Sequence, residues 1–117
     1  MINSYKELEI YKRSYNLALR LHEITKKFPE EERYDLISQI RRCSKSIPTN
    51  IAEGFGRQSK EEFKRFLKIS LGSCNELQVH LEFSKDLNYI EEKVYKELSQ
   101  ENTEIGKMLN VTLQKWK

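Results

Sequence analysis

The sequence predicts an all-α protein, an antiparallel up-down four-helix bundle with a proline kink in its second helix. Apolar residues recur at helical spacing through four segments of about 20–28 residues each. Only 4 Gly and 2 Pro occur in 117 residues, too few turn residues for a large β-sandwich or barrel. The connections between the segments are short, which makes consecutive helices antiparallel neighbours.

Helix one is predicted from about Asn3 or Ser4 to Lys27. Its apolar residues form two adjacent rows, Leu8, Tyr11, Tyr15, Ala18, His22 and Thr25 in the first and Ile10, Leu17, Leu21, Ile24 and Phe28 in the second. Two rows make a wider apolar face than one partner helix covers. We therefore expect helix one to pack inside its own bundle on one side and against another chain on the other.

Helix two is predicted to follow Pro29, which ends helix one and suits the first turn of a helix. Three glutamates at 30–32 fit that position, because acidic side chains are favourable at a helix N-terminus. The apolar face that follows contains Leu36, Ile40, Cys43, Ile47 and Ile51. Pro48 interrupts this face and lacks the amide donor that a helix interior needs, so a kink is expected there. Gly54 and Gly56 close the helix.

Helix three begins at a capping box, in which Ser59 precedes Glu62 by three positions. Its apolar row contains Phe63, Phe66, Leu67, Ser70, Leu71, Cys74, Leu77 and Leu81. Gly72 lies in a run of small residues at 70–74, and a helical Gly costs about 1 kcal/mol relative to Ala. Close approach of a neighbouring backbone is therefore expected at Gly72, and the helix is expected to end near Asn88.

Helix four is predicted from about Glu91 to Trp116. Its apolar row contains Val94, Leu98, Ile105, Leu109, Thr112 and Trp116. Asn102 and Gly106 interrupt this row, so we expect helix four to be the least tightly packed of the four helices.

The composition excludes several classes of protein. The length suits one domain over residues 1–117. No apolar stretch approaches the ~20 residues needed to span a membrane, and the N-terminal residues contain no signal-peptide apolar block. The two cysteines, 31 positions apart, form neither a disulfide framework nor a CxxC metal knuckle. We expect a single-domain cytoplasmic protein with reduced thiols and no membrane partner.

Signals of catalysis are weak. A ferritin-like di-iron site needs Glu-x-x-His pairs, but Leu19 and Leu77 occupy the positions three before His22 and His80. His80 does follow Glu76 by four residues, yet one such pair does not make a metal site. No Arg precedes either histidine at the spacing of the Arg-His ribonuclease motif found on some helical bundles. We therefore expect no enzymatic activity, no metal and no cofactor.

Basic residues give the strongest functional signal, although the net charge is only +3. Seven-residue spacing predicts a nearly continuous cationic stripe along helix one, formed by Lys6, Arg13, Arg20 and Lys27. Two further clusters are Lys60, Lys64, Arg65 and Lys68, and Arg41, Arg42 and Lys45. Such surfaces hold a nucleic-acid backbone without reading bases. The alternative is a solvated face with (i, i+4) ion pairs, which is favoured for one isolated helix; a symmetric oligomer, which repeats the stripe, favours binding.

The densest segment of the chain is residues 47–57, Ile-Pro-Thr-Asn-Ile-Ala-Glu-Gly-Phe-Gly-Arg. We interpret it as a structural clasp rather than a ligand site. Asn50 can satisfy backbone groups that the proline frees. Arg57 can pair with Glu53 in the same helix or with Glu76 in helix three.

The segment 47–57, with Phe66–Leu77, Leu87–Ile90 and the opening Tyr5–Lys12, resembles the four-helix bundle proteins of the 23S rRNA intervening-sequence family. The likeness covers about Tyr5 to Ile90. The residues that carry the family's motifs here are Pro48, Asn50, Glu53, Gly54, Gly56, Arg57, Gly72, Ser73 and Glu76. The chain departs from the pattern at Leu71, where an Arg is common, and at Asn88, where a Gly usually precedes Tyr-Ile.

The resemblance implies a homopentamer and kinship with the accessory proteins of diversity-generating retroelements, which bind nucleic acid and a reverse transcriptase through basic surfaces. The first hypothesis is therefore a non-enzymatic homo-oligomer that binds RNA or DNA with low sequence selectivity. The alternative is a protein-interaction scaffold whose basic face docks an acidic partner or a reverse transcriptase. A ribonuclease that acts on its own ribosomal insert is the third.

Overall fold

A computed structural model describes residues 2–115 and places them in four α-helices with short connections. The helices are α1 (Glu9–Thr25), α2 (Leu36–Gly56), α3 (Lys60–Asp86) and α4 (Glu92–Lys115). No strand occurs among the described residues, so the predicted all-α class is confirmed. Trp116, predicted to end helix four, lies outside the described residues.

The four helices are arranged as an antiparallel up-down square. α2 packs against α1 and α3, while α4 packs against α3 and closes the square on α1. Within residues 2–115 no Cα atoms of the diagonal pairs, α1 with α3 and α2 with α4, lie within 8 Å of each other. The bundle measures 43 × 23 × 20 Å. None of the described helices combines the length and the apolar content needed to cross a bilayer.

The core runs along the bundle axis and draws on all four helices. Its largest fully buried aliphatic side chains are Leu21, Ile40, Ile47, Ile51, Leu67, Leu77, Leu81, Leu98, Ile105 and Leu109. Burying each of them stabilises the fold by about 1.5–3 kcal/mol. Of the two rows predicted on helix one, the second faces this core. The first lies toward α2 and leaves Tyr15 about half exposed, together with the adjacent Leu19.

Both ends of helix one differ from the prediction. The chain first forms a 3₁₀ turn, Tyr5–Glu7, which Ser4 caps by accepting a hydrogen bond from the Lys6 amide. Leu8 is then extended, with φ −73° and ψ 129°, so α1 begins only at Glu9. At the other end α1 stops at Thr25, two residues before the expected boundary.

Helix two also begins later than predicted, because the three glutamates after Pro29 form a separate 3₁₀ turn, Glu30–Glu32. A tertiary contact accounts for this turn: the Tyr89 hydroxyl donates a 2.7 Å hydrogen bond to the Glu32 carboxylate. α2 then runs without interruption through Pro48 to Gly56. The kink at Pro48 stays a prediction.

The close approach expected at Gly72 is not made within the chain. Apart from its own stretch of α3, no atom of the described residues lies within 4 Å of the position that a Cβ would take there, because Gly72 points away from the bundle. Its neighbours Ser70 and Cys74 are the residues that face inward. The close approach lies instead at Gly54, where a Cβ would come within 2.8 Å of the Phe66 Cβ. Gly54 therefore sets the contact between α2 and α3.

Candidate nucleic-acid interface

The stripe predicted on helix one is interrupted by ion pairs to α4. Arg13 donates two hydrogen bonds to the Glu101 carboxylate, at 3.0 and 2.6 Å, and Arg20 donates one to Glu97 at 2.6 Å. The hydrogen bond from Arg20 lowers the pKa of Glu97. The two arginines therefore tie α1 to α4, and the continuous stripe is corrected to two separate exposed lysines, Lys6 and Lys27.

The second predicted cluster, at the start of α3, keeps most of its charge available. Arg65 is engaged: it donates to both carboxylate oxygens of Glu62, at 2.9 and 3.1 Å, and its guanidinium lies 4.5 Å from the centre of the Phe66 ring. Lys60, Lys64 and Lys68 have no carboxylate within 4 Å in the part of the chain that the structure describes. They are free to contact a phosphate backbone.

The third cluster lies along the seam between α1 and α2. Arg41 donates to the Thr25 hydroxyl at 2.9 Å and to the His22 carbonyl at 3.1 Å, and it forms no ion pair with a carboxylate among residues 2–115. Its charge is the largest cause of the lowered pKa of His22, and burial, Lys26 and Lys45 act in the same direction. The seam is therefore locally positive. Arg42, by contrast, points to α3 and pairs with Glu76.

One end of the bundle gathers lysines from three of its elements. Because the helices alternate in direction, the first residues of α1 and α3 and the last residues of α2 and α4 meet at the same end. We define the basic end as Lys6, Lys60, Lys64, Lys107 and Lys115. Lys60, Lys107 and Lys115 line one groove there, with Glu9 as its only acidic lining residue among those described. The lone ion pair of these lysines in the described structure is the 3.8 Å contact from Lys107 to Glu104.

Acidic side chains concentrate in a different part of the bundle. Residues 74–102, which form the second half of α3, the connection and the first half of α4, contain seven Asp or Glu and three Lys. Charge is thus separated within the molecule although the net charge is small. The sequence clusters located part of the basic end, but Lys107 and Lys115 join it only through the antiparallel packing of α4.

The motif at 47–57 makes local and cross-helix contacts. Arg57 pairs with Glu53 at 3.0 Å, one of the two partners predicted for it. Asn50 donates to the carbonyl and the hydroxyl of Ser46, at 2.8 and 2.9 Å, rather than to the carbonyl of Ser44 that Pro48 leaves without its donor. The hydrogen bonds of Asn50 extend to α3, because the Ser73 hydroxyl donates a 2.9 Å hydrogen bond to the Ser46 hydroxyl.

Residues 6–111 match the family model described as the 23S rRNA-intervening sequence protein. A similar solved structure is the crystal structure of a protein of unknown function from the S23 ribosomal protein family of Bacteroides thetaiotaomicron. The two chains are 28% identical, the match covers 89% of this chain and 97% of that chain, and the TM-score is 0.80. No curated protein matches the chain. With its four-helix fold and a family match over most of its length, the chain belongs to the 23S rRNA-intervening sequence protein family.

Proposed function

We propose that the protein is a non-enzymatic homo-oligomer, assembled as a cyclic pentamer, that binds RNA through basic surfaces with low sequence selectivity. The observation that carries the RNA-binding part is the basic end. Four of its five lysines have no carboxylate partner in residues 2–115, while the acidic excess lies elsewhere in the bundle. Lysines of this kind neutralise phosphates and release counterions, which is the main source of sequence-independent affinity.

Two unpartnered faces support assembly. The first, which we call the groove face, lies between α1 and α2 and is lined by Tyr11, Tyr15, Leu19, Pro48 and Ala52, among others. The second, the α3 ridge, consists of Val79, Phe83 and Leu87 with Glu82 and Asp86 beside them. Phe83 is 54% exposed and Leu19 is 52% exposed. Covering such side chains with a second copy removes apolar surface from water.

The charges at the two faces differ in net sign. The groove face is bordered by Lys45 and Glu53 and lies beside Arg41, whereas the α3 ridge carries Glu82 and Asp86, with Lys85 paired to Asp86 at 3.8 Å. α1 and α3 occupy diagonal corners of the square, so the groove face and the ridge point away from each other. Two different faces that fit each other make head-to-tail contacts, which close into a ring when the rotation allows. A ring agrees with the pentamer that the family resemblance implies.

The exposed Gly72 also supports an assembly interface on the α3 ridge. Gly72 and Ile69 continue the ridge toward the start of the helix, and both are exposed. A helical Gly costs about 1 kcal/mol of stability relative to Ala. Packing among residues 2–115 gives no reason for a Gly at this position, because a Cβ there would have open space. Close packing of a neighbouring chain on this face gives Gly72 a role.

A ring would also strengthen RNA binding. Cyclic symmetry places the same end of every copy on the same face of the assembly. Five basic ends would then form one positive face, and weak contacts to several copies would combine by avidity. Because phosphate contacts position the nucleic acid without specifying its sequence, this surface would bind RNA with little selectivity.

The decisive test compares two variants with equal loss of charge. The first replaces Lys6, Lys60, Lys64 and Lys115 of the basic end with Gln. The matched control replaces Lys26, Lys27, Lys93 and Lys96, which lie toward the opposite end. Binding to single-stranded RNA is measured by fluorescence anisotropy at several salt concentrations. Each lost phosphate contact should reduce the slope of log affinity against log salt by about 0.7.

The basic-end variant is expected to bind weakly with a reduced slope, while the control stays close to wild type. Equal losses in both variants would mean that only net charge matters, and the assignment to the basic end would be rejected. The variant with Lys6, Arg13, Arg20 and Lys27 changed to Gln is expected to lose less, because Arg13 and Arg20 already pair with Glu101 and Glu97.

The scaffold alternative is separated by a pull-down with and without nuclease. Partners recovered only before nuclease treatment support RNA binding, whereas an acidic protein or reverse transcriptase retained after it would favour the scaffold. Assembly is tested by light scattering. A mass near 70 kDa, five times the chain mass of 14.0 kDa, is expected, and a single-chain particle at micromolar concentration would overturn the ring.

The proposal expects no thiol chemistry, because burial raises the pKa of both Cys43 and Cys74 to about 12 and keeps the metal-free thiols protonated at neutral pH. It also expects ribosomal RNA that contains an intervening insert to remain intact when incubated with the protein. Cleavage that disappears in a His22→Ala or His80→Ala variant would show that the protein is a ribonuclease.

A further inference from the structure

A group of metal-ligating side chains lies at the seam between α2 and α3, away from the basic end. Cys43 comes from α2, and Glu76 and His80 lie one turn apart on α3. The candidate ligand atoms of the three side chains are all within 4.8 Å of one another, and the His80 Nε2 is 3.4 Å from a carboxylate oxygen of Glu76. The sequence showed only the Glu76–His80 pair. The folded structure adds the Cys43 thiol from α2 to this pair on α3.

These three side chains match the chemistry of zinc. Zn²⁺ binds cysteine sulfur, histidine nitrogen and carboxylate oxygen, and sites with three protein ligands keep a fourth position for water. Ligand atoms around a tetrahedral zinc ion lie roughly 3.5 Å apart, given bond lengths of about 2.0–2.3 Å. The present separations, up to 4.8 Å, are larger than this, so the Glu76 and His80 side chains would have to move toward the thiol when an ion binds. A hard cation such as Mg²⁺ would not select a thiol or an imidazole.

Burial and access also fit a metal site. Cys43 is fully buried, while the side chains of His80 and Glu76 are 19% and 37% exposed, so an ion and a water ligand can enter from the solvent side. Arg42 donates a hydrogen bond to Glu76 and another to Gln39, which holds the carboxylate beside the imidazole. Partners of this kind orient ligands in known metal sites.

We propose that Cys43, Glu76 and His80 bind one Zn²⁺ ion, with water in the fourth position. On binding, the Cys43 thiol releases its proton to solvent and the thiolate becomes the sulfur ligand. The ion would join α2 to α3 in the middle of the bundle. Because only the folded bundle brings the three residues together, zinc would stabilise the folded state by mass action.

The test is a cobalt titration of the chelator-treated, full-length protein, because Co²⁺ takes zinc sites and reports its ligands by absorption. The wild-type protein should bind one equivalent and develop a thiolate-to-cobalt charge-transfer band, which zinc then abolishes by displacement. Cys43→Ser should remove the band. Glu76→Gln and His80→Gln should lower the affinity by more than ~10-fold. Cys74→Ser is the matched control, since Cys74 is the other buried thiol and lies outside the cluster.

Two results would overturn the site. One is the absence of a charge-transfer band in the wild-type protein, and the other is a band that survives Cys43→Ser and is lost in Cys74→Ser. Circular dichroism establishes that each variant folds. If Cys43→Ser unfolds, His80→Gln decides, because its partly exposed side chain can be replaced without opening the core; unchanged cobalt affinity in that variant rejects the proposal. RNA binding is measured separately, so failure here leaves the basic end untouched.

Discussion

Single residues in this bundle are defined by what surrounds them rather than by their type. Gly54 and Gly72 both lie inside helices, yet only Gly54 meets a neighbouring helix closely. The run of small side chains at 70–74 predicted the close approach at Gly72 instead. The small neighbours Ser70 and Ser73 serve another purpose: their hydroxyls bond to the Ile47 carbonyl and to Ser46 on α2, each at 2.9 Å.

A Gly54→Ala substitution should destabilise the protein by about 1–2 kcal/mol, although Ala is the better helix former. The new Cβ would meet the Phe66 Cβ at 2.8 Å and the Phe63 backbone at 3.4 Å, and neither can swing away like the end of a long side chain. Gly56→Ala is the control, because a Cβ there has open space. Urea unfolding at one fixed protein concentration measures both, and equal stability of the two variants would contradict the assignment.

Tyr89 holds the turn at Glu30–Glu32 through its hydrogen bond to Glu32, and it also packs against Phe28 with ring centres 5.2 Å apart. Tyr89→Phe keeps the ring contact and removes only the hydrogen bond, so a modest fall in melting temperature is expected at neutral pH. The hydrogen bond to Glu32 is the largest cause of the raised pKa of Tyr89, about 12 against a usual 10.0. A raised pKa means that the folded state favours the protonated phenol.

The stabilisation from Tyr89 is therefore complete below about pH 10 and is lost as the pH rises from 10 toward 12. The melting-temperature difference between wild type and Tyr89→Phe should be constant near neutrality and shrink above pH 10. An absorbance titration of the tyrosines should also lose its latest-titrating component in the variant. A difference that grows with pH in that window would contradict the hydrogen bond.

At the scale of the elements, α4 is held to α1 by charge as well as by apolar packing. Arg13 and Arg20, two turns apart on α1, face Glu101 and Glu97, one turn apart on the antiparallel α4. Asn102 adds a buried hydrogen bond from α4 to the Cys74 carbonyl on α3, at 2.9 Å. Asn102, which was predicted to interrupt the apolar row of helix four, thus forms a polar link between α4 and α3.

The Arg13–Glu101 pair should contribute about 0.5–1 kcal/mol to stability, since both side chains are about one-third exposed and solvent screens their charges. A double-mutant cycle with Arg13→Met and Glu101→Gln, measured by urea unfolding in low salt, isolates this term. The coupling should fall at high salt. Zero coupling energy in low salt would contradict the ion pair and would mean that Arg13 is available to contact RNA.

The sequence predicted the helices and their order because apolar periodicity and antiparallel connections are local signals. It could not predict the partners of Arg13 and Arg20, which lie 88 and 77 positions away. For the same reason it found Lys60 and Lys64 as a cluster but not their meeting with Lys107 and Lys115. The boundary at Glu30–Glu32 was missed because Tyr89, 57 positions on, stabilises the turn.

At the scale of the whole molecule, the proposed ring makes one prediction that an ordinary two-fold dimer does not share. Tyr15→Arg damages the groove face and leaves the α3 ridge intact, while Phe83→Arg does the reverse. Both residues are about half exposed, so neither substitution should disturb the core. In a head-to-tail ring each contact joins one groove face to one ridge, and each variant alone should therefore remain a single chain.

Mixing the two variants should restore one intact contact, between the groove face of Phe83→Arg and the ridge of Tyr15→Arg. The other contact would be damaged on both sides, so assembly would stop at a heterodimer of about 28 kDa, twice the chain mass of 14.0 kDa. Sedimentation velocity on the separate and mixed proteins measures the mass of each species and distinguishes single chains from the heterodimer. A self-complementary interface would leave the mixture no larger than its components, because each face would need its own copy as partner, and that result would exclude the head-to-tail ring.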